Sequence, residues 1–258
     1  MTHDEKCLWL TEYLLGESEE YRSIGVPDDP SLQWRLLRSL MNVRPAMPVS
    51  DEFIAVQDSF LQEEIRRKGI ADISSLEPCA DGFCLWQGDI TALKCDAVVN
   101  AANSGMTGCY VPCHGCIDNA IHTYAGVQLR AECARLMAEQ GHEEETGCAK
   151  ITHGWNLPAS FVIHTVGPIV HTVIPAASDC ALLSSCYRSC LSLADSRRLG
   201  SIAFCCISTG EFRFPAAKAA EIAYETVKGY IRSTGSRIRV VFNVYKDSDR
   251  KIYERLLC

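Results

Sequence analysis

The spacing of hydrophobic positions divides the chain into two parts with different periods. In the first part, apolar residues recur every three or four positions, which is the period of an amphipathic helix. Three such segments follow one another, and stretches that contain glycine and proline separate them. We therefore predict a helical N-terminal extension over residues 1–75. Its apolar faces carry Trp9, Leu10, Tyr13 and Leu14, then Leu32, Leu36, Leu37, Leu40 and Met41, then Phe53, Val56, Phe60 and Leu61.

From Phe83 onward, short apolar runs alternate with longer segments of helical character. The runs are rich in Val, Ile and Phe and are too short for typical helices, so we interpret them as strands. Many are apolar on successive residues, which is typical of strands covered on both faces. The pattern predicts an α/β sandwich with a mostly parallel sheet over residues 76–258. The predicted strands are Phe83–Trp86, Ala97–Asn100, Phe161–Val166, Ile202–Ile207 and Ile238–Val244, and the predicted helices are Ile117–Gln140, Asp179–Leu199, Pro215–Ser233 and Asp247–Leu257.

Composition and charge narrow the range of functions. The 258 residues carry a formal net charge of −7, which argues against a nucleic-acid partner because phosphate-backbone binding needs a basic surface. No stretch approaches the roughly 18 apolar residues of a membrane span. The N-terminus is polar and has no secretory-type hydrophobic segment, so we expect a cytoplasmic protein. The 15 cysteines are an odd number, which excludes complete disulfide pairing and leaves packing, metal binding or thiol chemistry.

The long loop after the predicted strand Ala97–Asn100 holds the strongest chemical signal. Within eight residues it carries Cys109, Cys113, His114 and Cys116, flanked by glycines and a proline. Thiolate and imidazole groups are ligands that zinc prefers, and a cysteine in such a loop has little apolar surface to bury against. Cys113 and His114 are adjacent and converge on one ion only with an unusual backbone, so we leave Cys113 out. We expect zinc at Cys109, His114 and Cys116; packed or free thiols are the alternative.

Two further loops follow predicted strands, and ligands of such sheets bind at the carboxyl ends of strands. Asp89 in the first loop either accepts hydrogen bonds from a ligand or caps a helix, and the cap is the favoured interpretation of this residue alone. In the second loop, Gly210 permits close approach of a phosphate to backbone N–H groups, and Phe212 offers an aromatic face. An ordinary strand-to-helix connection explains the second loop about equally well.

Asp118 lies just past the cysteine-rich loop, at the expected start of a helix. A carboxylate there either interacts favourably with the helix dipole or serves as a general base beside the metal. His122 lies one helical turn further on, and His164 lies inside an apolar strand. For both histidines, a hydrogen-bonded position in the core is the simpler interpretation.

Taken in order, these motifs resemble those of the macrodomain family, the ADP-ribose-binding fold. The resemblance extends from about Phe83 to the C-terminus and is specific because several motifs stand in register. The cysteine-rich loop is similar to that of the zinc-dependent subclass, which includes microbial protein ADP-ribosyl hydrolases and carries a helical N-terminal extension. The residues that carry the resemblance are Gly88–Thr91, Asp96–Asn103, Gly108–Cys109, His114–His122, Thr146–Ala149, Val162–Pro168 and Ile207–Phe212.

The resemblance implies a three-layer macrodomain sandwich that removes mono-ADP-ribose from modified protein side chains. It places Asp89 on the adenine amine, with Ile90 also in the ligand-binding set, and Asn103 at the distal ribose. Asp118 and Asn103 are the implied catalytic residues, and Zn²⁺ is the implied cofactor at the Cys109, His114 and Cys116 set. The diphosphate is expected against Ser208, Thr209, Gly210, Glu211 and Phe212.

The implied partners are ADP-ribose and mono-ADP-ribosylated protein. A dedicated ADP-ribosyltransferase is a further candidate, which nothing in the sequence demonstrates. The alternative function is a non-catalytic ADP-ribose-binding module with a structural zinc ion. Release of ADP-ribose from a modified protein distinguishes the two functions.

Overall fold

Within the described residues 1–257 of this computed structural model, three helices form the N-terminal part. Each begins at a polar residue, Thr2, Asp29 or Ser50, whose side chain accepts backbone N–H groups of the first turn. Their apolar faces pack into one cluster. The three predicted helices are confirmed, and the boundary between residues 75 and 76 stays a prediction. The all-helical character predicted up to residue 75 is wrong at its end, because the third helix stops at Lys68 and Ala71–Asp72 form a short strand that pairs with Leu93–Lys94. The helices are α1 (His3–Gly16), α2 (Pro30–Val43) and α3 (Asp51–Lys68).

Two sheets follow in the part of the chain that the structure describes. A small sheet pairs β1 (Ala71–Asp72) with β3 (Leu93–Lys94) in parallel. The central sheet has six strands in the order β2-β8-β7-β4-β6-β5, of which only the edge strand β5 is antiparallel to its neighbour. Its strands are β2 (Cys84–Gln87), β4 (Ala97–Ala102), β5 (Ala149–His153), β6 (Phe161–Val166), β7 (Ser201–Phe204) and β8 (Arg239–Val244).

Successive residues of β4, β6, β7 and β8 are buried, because helices cover both faces of the central sheet. The predicted three-layer α/β sandwich is thereby confirmed. The N-terminal helices α2 and α3 pack on α4, which in turn packs on β4. The helices of this part are α4 (Ile117–Ala125), α5 (Val127–Gln140), α6 (Ala177–Ser196), α7 (Ala216–Thr234) and α8 (Asp247–Leu257).

The predicted helix Ile117–Gln140 is wrong as a single element, because Gly126 breaks it. Gly126 has a φ of +95°, in the left-handed region that favours glycine. A Cβ there would also lie 2.6 Å from Gln57 Nε2 of α3, so the break lets α3 approach closely. Strand β5 was not predicted, since an edge strand with exposed positions lacks the continuous apolar run of its neighbours.

The parallel strands direct their carboxyl ends to one edge of the sheet, and the predicted ligand loops lie there. Strand β2 leads into Gly88 and Asp89, β4 into Asn103, and β7 into the loop that contains residues 208–212. Strand β7 ends at Phe204, three residues before the predicted end, so this loop begins at Cys205. Within residues 1–257, no helix combines the length and apolar character that crossing a membrane requires.

Candidate active site

The loop between β4 and α4, residues 103–116, brings three metal-binding side chains together. The donor atoms of Cys109, His114 and Cys116 all lie within 4.8 Å of one another. Cys109 Sγ lies 3.6 Å from His114 Nδ1. Two thiols and one imidazole form a donor set that fits zinc, and three protein ligands leave a position for a further ligand. The sequence-predicted donors are thus assembled, and the presence of a zinc ion stays a prediction.

Cys116 also caps helix α4, since its Sγ accepts the backbone N–H of Asn119 at 3.4 Å. Burial raises the pKa of the Cys116 thiol to about 12, although this N–H acts in the opposite direction. The free thiol is therefore protonated at neutral pH. A metal ion bound at Cys116 would displace that proton, because the thiolate is the ligand form.

Cys113 lies outside this donor cluster. Its backbone has a φ of +52°, and its Sγ lies 3.2 Å from Ser39 Oγ and 3.4 Å from the carbonyl oxygen of Arg35, both on α2. Cys113 was left out of the predicted donor set, and the structure places it apart from the cluster, in a left-handed backbone conformation. This conformation directs the Cys113 thiol to the N-terminal helices.

Asp118 is a buried carboxylate in the first turn of α4, with only 5% of its surface exposed. Its Oδ1 accepts from Asn100 Nδ2 at 2.8 Å, and its Oδ2 accepts from Asn103 Nδ2 at 3.3 Å. Burial raises the pKa of Asp118 to about 6, opposed by the Asn100 hydrogen bond and the positive charge of Arg130. A carboxyl group with a pKa near neutral pH is suited to general-base catalysis.

Asn100 connects this carboxylate to the buried His164. The two residues are in register on β4 and β6, and Asn100 Nδ2 lies 3.1 Å from His164 Nδ1. Because the Asn100 amide group donates, His164 Nδ1 is the acceptor in this hydrogen bond. The ring hydrogen is then on His164 Nε2, which donates to Thr152 Oγ1 at 2.9 Å. Burial lowers the pKa of His164 to about 3, so the ring is neutral. Sequence reasoning did not single out Asn100, although it is the only polar residue of an otherwise apolar strand.

His122 lies in the core beside Asp118, with its Nε2 3.6 Å from Asp118 Oδ1. Burial lowers its pKa well below the usual value, so this ring is also neutral. A Cβ on Gly108 would lie 2.7 Å from His122 Cγ, which shows that the cysteine-rich loop crosses directly over the ring. The core position predicted for both histidines is confirmed. Among the described residues, however, neither ring nitrogen of His122 has a hydrogen-bond partner, whereas both nitrogens of His164 do.

Asp89 is both a helix cap and an ion-pair partner. Its Oδ1 accepts from the backbone N and the Oγ1 of Thr91 at 3.0 and 2.7 Å, which caps the 3₁₀ turn Ile90–Ala92. Its Oδ2 accepts from Lys68 Nζ at 2.6 Å, a contact from α3 that the sequence did not reveal. Partial burial raises the pKa of Asp89, but the hydrogen bonds from Lys68 and Thr91 outweigh it and hold the pKa below its usual value.

The loop of residues 208–212 lies next to the metal-donor cluster. Ser208 is buried with a φ of +65°, and its carbonyl accepts the backbone N–H of Phe214 at 2.9 Å. Glu211 Oε1 lies 3.5 Å from His114 Nε2, although the Glu211 side chain is 72% exposed. The predicted phosphate loop and metal loop therefore meet at one edge of the sheet.

Comparison with known proteins identifies the class. The Macro domain family model matches residues 99–223. A solved Trypanosoma brucei macrodomain in complex with ADP-ribose is 30% identical, with a TM-score of 0.66 over 86% of this chain and 95% of that one. An Oceanobacillus iheyensis macrodomain with ADP is 34% identical, with a TM-score of 0.62 over 70% of this chain and 92% of that one.

Full-length relatives narrow the class further. A protein from Treponema medium named protein-ADP-ribose hydrolase is 54% identical over the whole of both chains. A protein of the same name from Staphylococcus aureus strain MRSA252 is 49% identical over 94% of this chain and 93% of its own. The chain therefore belongs to the macrodomain family. Within that family, it aligns over 94% or more of its length with two proteins named protein-ADP-ribose hydrolase.

Proposed function

We propose that this chain is a zinc-dependent hydrolase that removes mono-ADP-ribose from modified protein side chains. The observation that carries the proposal is the placement of Asp118. This buried carboxylate is held by Asn100 and Asn103 beside three metal-donor side chains, at the ligand-binding edge of a macrodomain. The names of the full-length relatives support hydrolysis of protein-linked ADP-ribose.

In this proposal, the strand-end loops hold ADP-ribose. Asp89 accepts the adenine amine, with Ile90 beside it, and Asn103 lies at the distal ribose. Backbone N–H groups of residues 208–212 hold the diphosphate, which requires no basic surface and is compatible with the net charge of −7. The ADP-ribose complex of the related Trypanosoma brucei macrodomain supports this ligand.

Asp118 acts as the general base. Its carboxylate takes a proton from a water molecule whose oxygen forms a bond to C1″ of the distal ribose. The bond between C1″ and the side-chain atom of the protein breaks, and the proton passes to that leaving atom. The products are ADP-ribose and the free side chain. Asn100 and Asn103 keep the carboxylate oriented through their amide groups.

Cys109, His114 and Cys116 are the residues that would hold Zn²⁺, and their soft donor atoms fit that ion. When bound there, zinc supplies Lewis-acid chemistry that orients ribose hydroxyls or polarises the scissile oxygen. Asp118 remains the proton acceptor in this scheme, because burial raises its pKa to about 6 and it sits in the helix turn that follows Cys116.

The test is release of ADP-ribose from a mono-ADP-ribosylated protein by the purified full chain. The variant Asp118→Asn keeps the shape of the side chain and removes the base, so we expect a rate loss of about a hundredfold or more. Asp28→Asn, at an exposed position, is the matched control and should retain the wild-type rate. Tight ADP-ribose binding by wild type without any release would favour the non-catalytic binding module instead.

A further inference from the structure

The helix α2 lies against the metal-donor loop and makes several polar contacts with it. Arg38 Nη2 donates to the carbonyl oxygen of His114 at 3.1 Å and to Asn119 Oδ1 at 2.7 Å. One guanidinium group therefore contacts a metal-donor residue directly and reaches the first turn of α4 at the same time. Both contacts connect residues that are more than seventy positions apart in the chain.

Asn119 forms hydrogen bonds both to Arg38 and to the cysteine-rich loop. It is fully buried, and its Nδ2 donates to the carbonyl oxygen of Val111 at 3.0 Å. Its backbone N–H donates to Cys116 Sγ at 3.4 Å. The side-chain amide of Asn119 is thus fixed between α2 and the loop, and its backbone orients the thiol of a second metal-donor residue.

Asn42, one turn further along α2, holds the middle of the loop. Its Oδ1 accepts the backbone N–H of Cys113 at 2.9 Å, and its Nδ2 donates to Thr123 Oγ1 on α4 at 2.9 Å. The Cys113 backbone is in the left-handed region, which a residue other than glycine adopts only when its surroundings hold it there. Asn42 supplies one of those restraints directly before His114.

Arg130 of α5 ties the end of α2 to the start of the same loop. Its Nη1 donates to the carbonyl oxygens of Met41 and Asn42 at 3.0 and 2.8 Å. Its Nε donates to the carbonyl oxygen of Thr107 at 2.7 Å, and its guanidinium lies 4.3 Å from the centre of the Tyr110 ring. The loop is therefore attached to α2 near its beginning, in its middle and at its end.

We propose that Arg38 and Asn42 are positioning residues that pre-organise the Cys109, His114 and Cys116 donors, so that the N-terminal helices are part of the metal site. The proposal rests on the zinc site of the proposed function. A loop without regular structure loses conformational freedom when it binds a metal, and restraints already present in the free protein reduce that loss. Residues that orient metal ligands from outside commonly contribute a factor of about 10 to 100 in metal affinity.

The test is the zinc affinity of the full chain, measured by competition with a chromophoric chelator. Arg38→Met keeps most of the side-chain length and removes both hydrogen bonds, and we expect its zinc Kd to rise by about tenfold or more. Arg35→Met is the matched control. It lies on the same helix, but its side chain is exposed and only its backbone carbonyl contacts Cys113, so its Kd should equal that of wild type.

Two further measurements separate positioning from a general loss of structure. With zinc in saturating excess, ADP-ribose affinity by calorimetry should be unchanged in Arg38→Met, because Arg38 touches neither Asp89 nor residues 208–212. Arg38→Lys restores a charged donor and should recover part of the zinc affinity that Arg38→Met loses. If Arg38→Met does not fold, Arg38→Lys is the test variant, with a zinc Kd expected between those of wild type and a full loss of the contacts. Wild-type zinc affinity in every Arg38 variant that folds would overturn this inference and leave the proposed zinc site standing. A wild-type chain that binds no zinc would overturn both.

Discussion

Glu211 Oε1 lies 3.5 Å from His114 Nε2, which connects the predicted diphosphate loop to the metal-donor loop. The other ring nitrogen, Nδ1, lies 3.6 Å from Cys109 Sγ and so faces the donor cluster. The two nitrogens of one imidazole therefore contact two loops. When one nitrogen of a histidine binds a metal, a carboxylate that contacts the other nitrogen fixes the tautomer and the orientation of the ring.

We expect Glu211→Ala to weaken zinc binding, because the His114 ring loses that orienting contact. The effect should be at most about tenfold in Kd, at the low end for such contacts, since the carboxylate is largely exposed. Chelator competition measures it. Glu225→Ala, at an exposed position of α7, is the control, and equal zinc affinities of the two variants would contradict this role of Glu211.

Asn100→Ala should reduce both stability and hydrolysis. The change removes the donor to Asp118 and to His164 in a buried site, and we expect a loss of about 1–3 kcal/mol in the free energy of unfolding. Because Asp118 is then held less firmly, single-turnover release of ADP-ribose should slow by more than tenfold, of the order of the energy of one such hydrogen bond.

Val99→Ala is the control for Asn100→Ala, since Val99 is the preceding residue of β4 and is equally buried. It leaves a cavity without removing a hydrogen bond, so denaturant unfolding should show a comparable loss of about 1–3 kcal/mol. Its rate of ADP-ribose release should stay near that of wild type. If both variants lose activity equally, the rate effect of Asn100→Ala comes from lost stability and not from Asp118.

Asp89→Ala should weaken ADP-ribose binding, because the proposed acceptor of the adenine amine is removed. A hydrogen bond to a charged group contributes about 1.5–3 kcal/mol, so we expect roughly a tenfold to hundredfold rise in Kd by calorimetry. The matched ligand is the hypoxanthine analogue of ADP-ribose, which lacks the amine. Wild type should prefer the adenine form, and Asp89→Ala should lose this preference; an unchanged preference would assign Asp89 to capping the 3₁₀ turn alone.

Cys116→Ala and Cys113→Ala form a pair that tests the donor set. The two thiols are three residues apart, but only Cys116 belongs to the donor cluster. We expect the purified Cys116→Ala chain to lose its zinc and Cys113→Ala to retain it, as measured by metal content per chain. Retention of zinc and full activity by Cys116→Ala would show that the donor set is wrong.

The helices, most strands of the central sheet and the candidate metal donors depend on residues close together in the chain, and they could be predicted from the sequence. The apolar spacing predicted the three N-terminal helices and five strands of the central sheet, because periodicity depends on neighbours along the chain. The candidate metal donors Cys109, His114 and Cys116 were accessible for the same reason, since all three lie within eight residues. Gly126 shows the limit: the helical pattern continues through it, and its positive φ and the close approach of α3 are visible only in the tertiary structure.

The sequence by itself determined the class of fold, the strand-end loops and the candidate metal donors Cys109, His114 and Cys116. The tertiary structure decided what surrounds them: Asn100 between Asp118 and His164, Lys68 on Asp89, and the contacts of α2 with the cysteine-rich loop. Arg38 and Asn119 are 81 residues apart, and no local pattern relates them. Their hydrogen bond exists because two helices pack together, and that packing depends on the shape of the whole fold rather than on spacing along the chain.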